Sequence, residues 1–239
     1  MSAKKPISSS KCYTQNCSPP ISYEELGMGD PKRSLVEGIA KLFNDSQYAD
    51  LKIYIGEHEL PAHSVFLATQ SPFFQKALSE KFREGKLKEF SFKEGSAHAH
   101  WRVFEYMYTG TYAEEPAEAL NDQDDDELVK DVRVYVTAEF FMLDNLKQFA
   151  LRRFESKLEV LWVSELFVDC IREVYTSTTE SDQGLRGTVV DIAYAHGAEL
   201  WDKKAFRDLM YDGGAFAVDL IANYTRSAMK GAFWDSAEV

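Results

Sequence analysis

Cysteine is nearly missing: the chain has three, Cys12, Cys17 and Cys170, in 239 residues. So few, and an odd number, cannot build a disulfide framework and suit a reducing compartment. Cys12 and Cys17 fall in a polar tail, whereas Cys170 sits in an apolar helical stripe where burial keeps a thiol protonated and inert. There is also no run of about 18 apolar residues, which argues against a membrane-spanning helix. The stretch from Met1 to Glu25 lacks the apolar core of a secretory signal. The expectation is an intracellular protein, in cytoplasm, nucleus or both, without a membrane partner. On that expectation the glycosylation-like triplets at Asn16, Asn44 and Asn223 are chance matches. Basic residues are outnumbered 27 to 39, for a net charge of −12. Nucleic acid rewards clustered Lys and Arg, so this balance argues against direct nucleic-acid binding.

Recognisable catalytic patterns are missing too. His58-Glu59-Leu60-Pro61-Ala62-His63 looks like a zinc-protease signature, but its histidines are five apart with Pro61 between them. That chemistry needs them four apart, on one face of a helix. His63 is expected to bond backbone at a helix start and His58 to be exposed. His98 and His100 lack a third ligand at sensible spacing and are expected on the surface. The run from Asp122 to Asp126 begins like a calcium loop, then offers Glu127 where glycine must turn the chain and Arg133 where the bidentate glutamate belongs. Gly27-Met28-Gly29 has neither the preceding strand nor the third glycine of a dinucleotide fingerprint, and there is no G-x-S-x-G elbow. No enzyme activity, catalytic residue, cofactor or metal is expected.

What the chain has is an ordinary globular composition, 45% hydrophobic and 28% charged. Residues 1–30, rich in Ser, Pro, Gly and Lys, are expected to form a disordered tail. Leu35, Ile39, Leu42 and Phe43 recur at helical spacing after Pro31. Leu51, Ile53 and Ile55 alternate as a strand, and Gly56-Glu57 turns the chain into a short return strand from His58 to Leu60. Pro61 is expected to open a helix carrying Val65, Phe66 and Leu67, and Ser71-Pro72 a second carrying Phe73, Phe74, Ala77, Leu78 and Phe82. Glu89 to Lys93 alternates again, and Trp101 to Tyr108 reads as a helix ended by Thr109-Gly110. The acidic stretch 113–127 is expected to be a solvated loop. Beyond it the pattern is helical: Val132 to Phe140, Leu146 to Phe154, and Leu166 to Tyr175 with Ser164 as cap. A break is expected from Thr176 to Gly187, with further helices from Thr188 to about Leu200 and Lys203 to about Tyr224.

In this order, residues 34–110 resemble a BTB/POZ domain. The resemblance rests on five segments in register: Ala49-Asp50-Leu51, Leu60-Pro61-Ala62-His63-Ser64-Val65-Phe66-Leu67-Ala68, Ser71-Pro72-Phe73-Phe74, Phe82-Arg83-Glu84 and Phe104-Glu105-Tyr106-Met107-Tyr108-Thr109-Gly110. Val132 to Phe154 looks like the closing helices of the same domain. The resemblance implies an α+β fold, a small β-sheet enclosed by α-helices, over 31–157, followed by an all-helical extension over 158–239. It implies protein–protein association: a homodimerising scaffold or adaptor, with Leu35, Ile39, Leu42 and Phe43 at the dimer interface. The alternative is that those four residues cover the monomer's own core. Some members of the family bring substrates to cullin-based ubiquitin ligases through a hydrophobic-x-Glu element, which Leu87-Lys88-Glu89 fits, making Leu87 and Glu89 a candidate cullin contact. A transcription-associated role through partners is a further alternative. One departure weighs against it: Ser64 stands where repressor relatives carry a basic partner for Asp50.

Overall fold

The computed structural model describes residues 31–79 and 83–235. The expected tail, with Cys12, Cys17 and Asn16, and Phe82 of the expected second helix lie outside the described residues. Helix α1 (Pro31–Ala40) opens the structure, and Ile39, with Leu42 and Phe43 in the turn that follows, packs against the core. The hairpin follows as expected, strands β1 (Leu51–Ile55) and β2 (His58–Ala62) pairing antiparallel with Leu51 opposite Ala62. Leu51, Ile53 and Ile55 are buried while Lys52 is exposed, the period-2 pattern of a strand with one covered face.

Three short helices, α2 (Ser64–Gln70), α3 (Pro72–Ala77) and α4 (Arg83–Leu87), lead to strand β3 (Glu89–Phe92), which lies parallel to β1 with Ile53 opposite Phe90. The sheet order is β2-β1-β3. Pro61 belongs to β2 and not to a helix, and the helix begins three residues later at Ser64. Helix N1 and the outer rim of an edge strand are both places where a missing N–H costs nothing, so proline alone cannot tell them apart.

Ser71 caps α3 by accepting the Phe74 N–H, and its hydroxyl donates to the Phe141 carbonyl at 2.7 Å, tying α3 to the far end of the domain. Helix α5 (Ala97–Thr109) starts where Ser96 accepts the Ala99 N–H and stops at Gly110, whose φ of +75° suits glycine. Helices α6 (Lys130–Phe140) and α7 (Asp144–Leu161) close the unit. Its centre is a cluster of phenylalanines in which Phe74 and Phe141 stack at 5.3 Å and Phe90, Phe92 and Phe104 meet them edge-on or tilted.

The extension consists of α8 (Leu166–Ser177), α9 (Gln183–Ala195), α10 (Gly197–Trp201), α11 (Lys204–Asp212) and α12 (Ala215–Asp235). One continuous set of buried apolar residues runs from Leu51 to Leu220, and α7 crosses the expected boundary at residue 157 unbroken. The break expected over 176–187 is shorter. Asp182 caps α9 by accepting the Leu185 N–H, so Gly184 and Gly187 lie inside that helix. At Gly184 an added Cβ would come within 2.8 Å of the Tyr135 hydroxyl, which donates to Asp182. The single helix expected from Lys203 to Tyr224 is instead α11 and α12. Gly213 and Gly214, at φ of +74° and +92°, break it in a region that glycine enters without strain.

Candidate interaction surfaces

The acidic stretch is a loop, as expected, with Glu115, Glu118, Asp122, Asp126 and Glu127 exposed, but Glu114, Asp124 and Asp125 are drawn inward and are not simply solvated. Arg102 on α5, only 2% exposed, reaches into it, its guanidinium donating to the carbonyls of Ala113 and Glu114 at 3.1 Å and to the Asp124 carboxylate at 2.7 Å. Lys130 joins Asp124 at 3.0 Å, and Arg133 links Asp125 to Glu173 of α8. Glu114 takes Arg153 and Lys157 from α7, and Lys157 also reaches the buried Asp131 at 2.7 Å. Burial pushes the Asp124 carboxyl up. The hydrogen bonds from Arg102, Lys130 and the Asp125 N–H outweigh that push and hold it well below the usual carboxylate range. The Tyr112 phenol, donating to Asp131, is raised far above its ordinary value by burial and then by that carboxylate. The segment is thus a strut joining α5, α6, α7 and α8.

The histidines serve the fold. His98 and His100, expected on the surface, are buried because α5 begins at Ala97 and turns both inward. His98 is tied to the backbone of Asp122 and Ala117, and His100 stacks on Phe92 at 5.2 Å. Burial lowers the His100 pKa, so the ring is neutral at pH 7. His63 bonds the Gln47 carbonyl at 2.8 Å and the Tyr108 hydroxyl at 2.9 Å. His58, expected to be exposed, is half-buried edge-on to Trp101. The Cys170 thiol is pushed up to about 12, mainly by burial. Asp50 accepts both the N–H and the hydroxyl of Ser64, at 2.7 and 2.6 Å, so the residue that departs from the family pattern binds Asp50 at the start of α2.

Among the described residues, two of the open apolar surfaces carry residues expected at an interface. On α1, Leu35 is 65% exposed and its neighbour Val36 51%, while Phe43 meets Trp101 at 5.0 Å and Tyr108 at 5.7 Å. The four residues expected to form one interface are therefore split: Leu35 faces outward, and Ile39, Leu42 and Phe43 dock the helix. The second surface is a groove of about 610 Å³ along β3, floored by Phe73, Ala77, Phe90 and Phe92, with Leu87 and Glu89 on its rim. A second hollow of about 590 Å³ continues past Phe92 to Val136 and Phe140. Leu87, Phe140 and Met142 are 53%, 55% and 47% exposed along this line. Phe140 reads in sequence as part of an inward stripe and Met142 carries no signal, because both reach the groove through a turn at the end of α6, where Met142 has φ of +57°.

A small mixed sheet wrapped by helices, its polar groups engaged internally and its apolar residues displayed at a helix face and a strand edge, defines a protein-interaction module. Residues 39–151 match the family model of the BTB/POZ domain. The chain therefore carries a BTB/POZ domain, an interaction module, followed by a helical extension. The mouse TD and POZ domain-containing protein 2 is 26% identical over 81 residues, which are 34% of this chain and 22% of that protein. Mouse Kelch-like protein 30 is 28% identical over 90 residues, 37% of this chain and 16% of that protein. The match thus spans less than a quarter of either relative. The solved BTB domain of human gigaxonin aligns at 15% identity and a TM-score of 0.39, covering 59% of this chain and 98% of that one.

Proposed function

We propose that this protein is a non-catalytic adaptor that acts inside the cell and pairs with a second copy of itself through α1. The observation behind this reading is the division of labour on that helix: Ile39, Leu42 and Phe43 fix it to the domain, leaving Leu35 and Val36 open. A self-complementary apolar patch is effective because each residue counts twice across a two-fold axis. Leu35→Asp with Val36→Asp is expected to remove association through α1 and so lower the molar mass by light scattering without changing the circular dichroism spectrum. Ile39→Asp and Phe43→Asp, whose side chains reach the core, are expected to lower the melting temperature as well. An unchanged molar mass for the Leu35/Val36 variant would remove α1 as the interface.

A second reading, a substrate adaptor of a cullin-based ubiquitin ligase, is supported by the exposure of Leu87 beside Glu89 on the rim of an apolar groove. Purified protein is expected to bind a cullin N-terminal region, and Leu87→Ala with Glu89→Ala to weaken that binding about tenfold or more, as loss of a central apolar contact does. Wild-type protein that fails to bind would end this reading.

A further inference from the structure

The two edges of the sheet are not equivalent. On β1, the Lys52 N–H donates to the Lys88 carbonyl and the Gly56 N–H to the Phe92 carbonyl, each at 3.0 Å. In a parallel ladder, alternate residues direct both backbone groups to the same neighbour. Lys88, Phe90 and Phe92 therefore face β1, and Glu89, Ser91 and Lys93 turn theirs outward. Among the described residues nothing pairs with the outward backbone groups of Ser91. The opposite edge is blunted: Pro61, opposite Lys52 in register, removes an outward N–H from β2. Strand β3 has no proline, and the exposed Leu87, Phe140 and Met142 line its groove.

We propose that the β3 edge pairs with β3 of a second copy, antiparallel about a two-fold axis through Ser91, joining two three-stranded sheets into one of six. The segment Glu89-Phe90-Ser91-Phe92-Lys93 is self-complementary in that register: Glu89 meets Lys93, Phe90 meets Phe92, and the two Ser91 residues exchange N–H and C=O bonds. Glu89 and Lys93 are exposed, and neither makes an ion pair among the described residues. Sliding the strands by two residues in either direction places a serine opposite each charge that stays paired, so only the Ser91-centred register satisfies both ends.

This interface is separate from the one proposed on α1. Two different two-fold contacts on one chain generate a closed dihedral assembly or an open string of molecules and not a simple dimer. The wild type is therefore expected to exceed dimer mass as concentration rises.

The test uses the full chain carrying Leu35→Asp and Val36→Asp, which removes the α1 contact. That protein is expected to remain a dimer by light scattering. Adding Ser91→Pro, which deletes an outward N–H that β1 does not use, is expected to make it monomeric. Should Ser91→Pro not fold, the charges decide the matter. Glu89→Lys and Lys93→Glu, each in the same background, are expected to weaken self-association about tenfold, the effect of turning two attractive cross-strand pairs into repulsive ones. Mixing those two variants restores opposite charges at both ends and is expected to give a one-to-one heterodimer. A monomeric Leu35/Val36 variant, or charge variants that neither weaken alone nor recover on mixing, would overturn β3 pairing and leave α1 pairing intact. A dimer abolished only by the α1 substitutions would do the same. Charge variants that change capture of a cullin N-terminal region but not molar mass would assign the edge to another chain and also overturn the proposal.

Discussion

Replacing Arg102 with Met is expected to cost about 3–5 kcal/mol of folding stability, the range seen when one partner of a buried ion pair is removed. Methionine fills the aliphatic space but leaves the Ala113 carbonyl without the Arg102 donor, the Glu114 carbonyl with Lys130 alone and the Asp124 carboxylate without its nearest cation. An exposed pair such as Arg33–Glu37 on α1 sets the contrast, since solvent screening leaves such contacts about 0–1 kcal/mol. The pH dependence has a definite sign. The Asp124 pKa is lowered on folding, so its contribution is complete above the unfolded value of 3.8 and fades as pH falls through the lower folded value. Wild-type protein should thus lose stability in acid below about pH 4, and Arg102→Met should lose less over the same span because the nearest of the cations that lower the Asp124 pKa is already gone. Urea unfolding at neutral pH and near pH 3 measures both effects. A neutral-pH loss under about 1 kcal/mol would show that the strut is ornamental.

The second large effect is expected at the turn after α6. Phe141→Ala should cost about 3–5 kcal/mol, the usual cost of emptying a buried phenylalanine site. Its ring is fully buried, stacked on Phe74 and edge-on to Phe73 and Phe92. The adjacent Phe140 is 55% exposed, and Phe140→Ala is expected to cost about 1 kcal/mol or less while removing apolar area from the β3 groove. Thermal denaturation of the two variants side by side should separate core from surface at neighbouring positions. Equal losses would mean that Phe140 belongs to the core and not to a binding surface.

The hairpin was legible because alternation at Leu51, Ile53 and Ile55 has one interpretation when a glycine turn follows. Helix α5 was legible through its apolar spacing and its terminal Gly110. The strut was not, because the cations that neutralise Asp124, Asp125 and Glu114 sit on three helices, at Arg102, Lys130, Arg133, Arg153 and Lys157. A run of carboxylates read alone looks solvated. His98 and His100 were misplaced for a related reason: polarity argues for the surface, whereas the start of α5 at Ala97 and the backbone acceptors of Asp122 and Ser96 draw both rings inward. Of the candidate surfaces, Leu87 and Glu89 carried a local pattern. Phe140 and Met142 did not, since they reach the same groove from about 50 residues further along the chain, through a turn that only the folded backbone reveals.

The molar mass of the full chain as a function of concentration, measured by light scattering with and without Leu35→Asp and Val36→Asp, tests self-association most directly. Pairing through both α1 and β3 gives a wild type at dimer mass that grows heavier with concentration, and a substituted chain that stops at dimer. A wild type that stays monomeric throughout would contradict both interfaces at once.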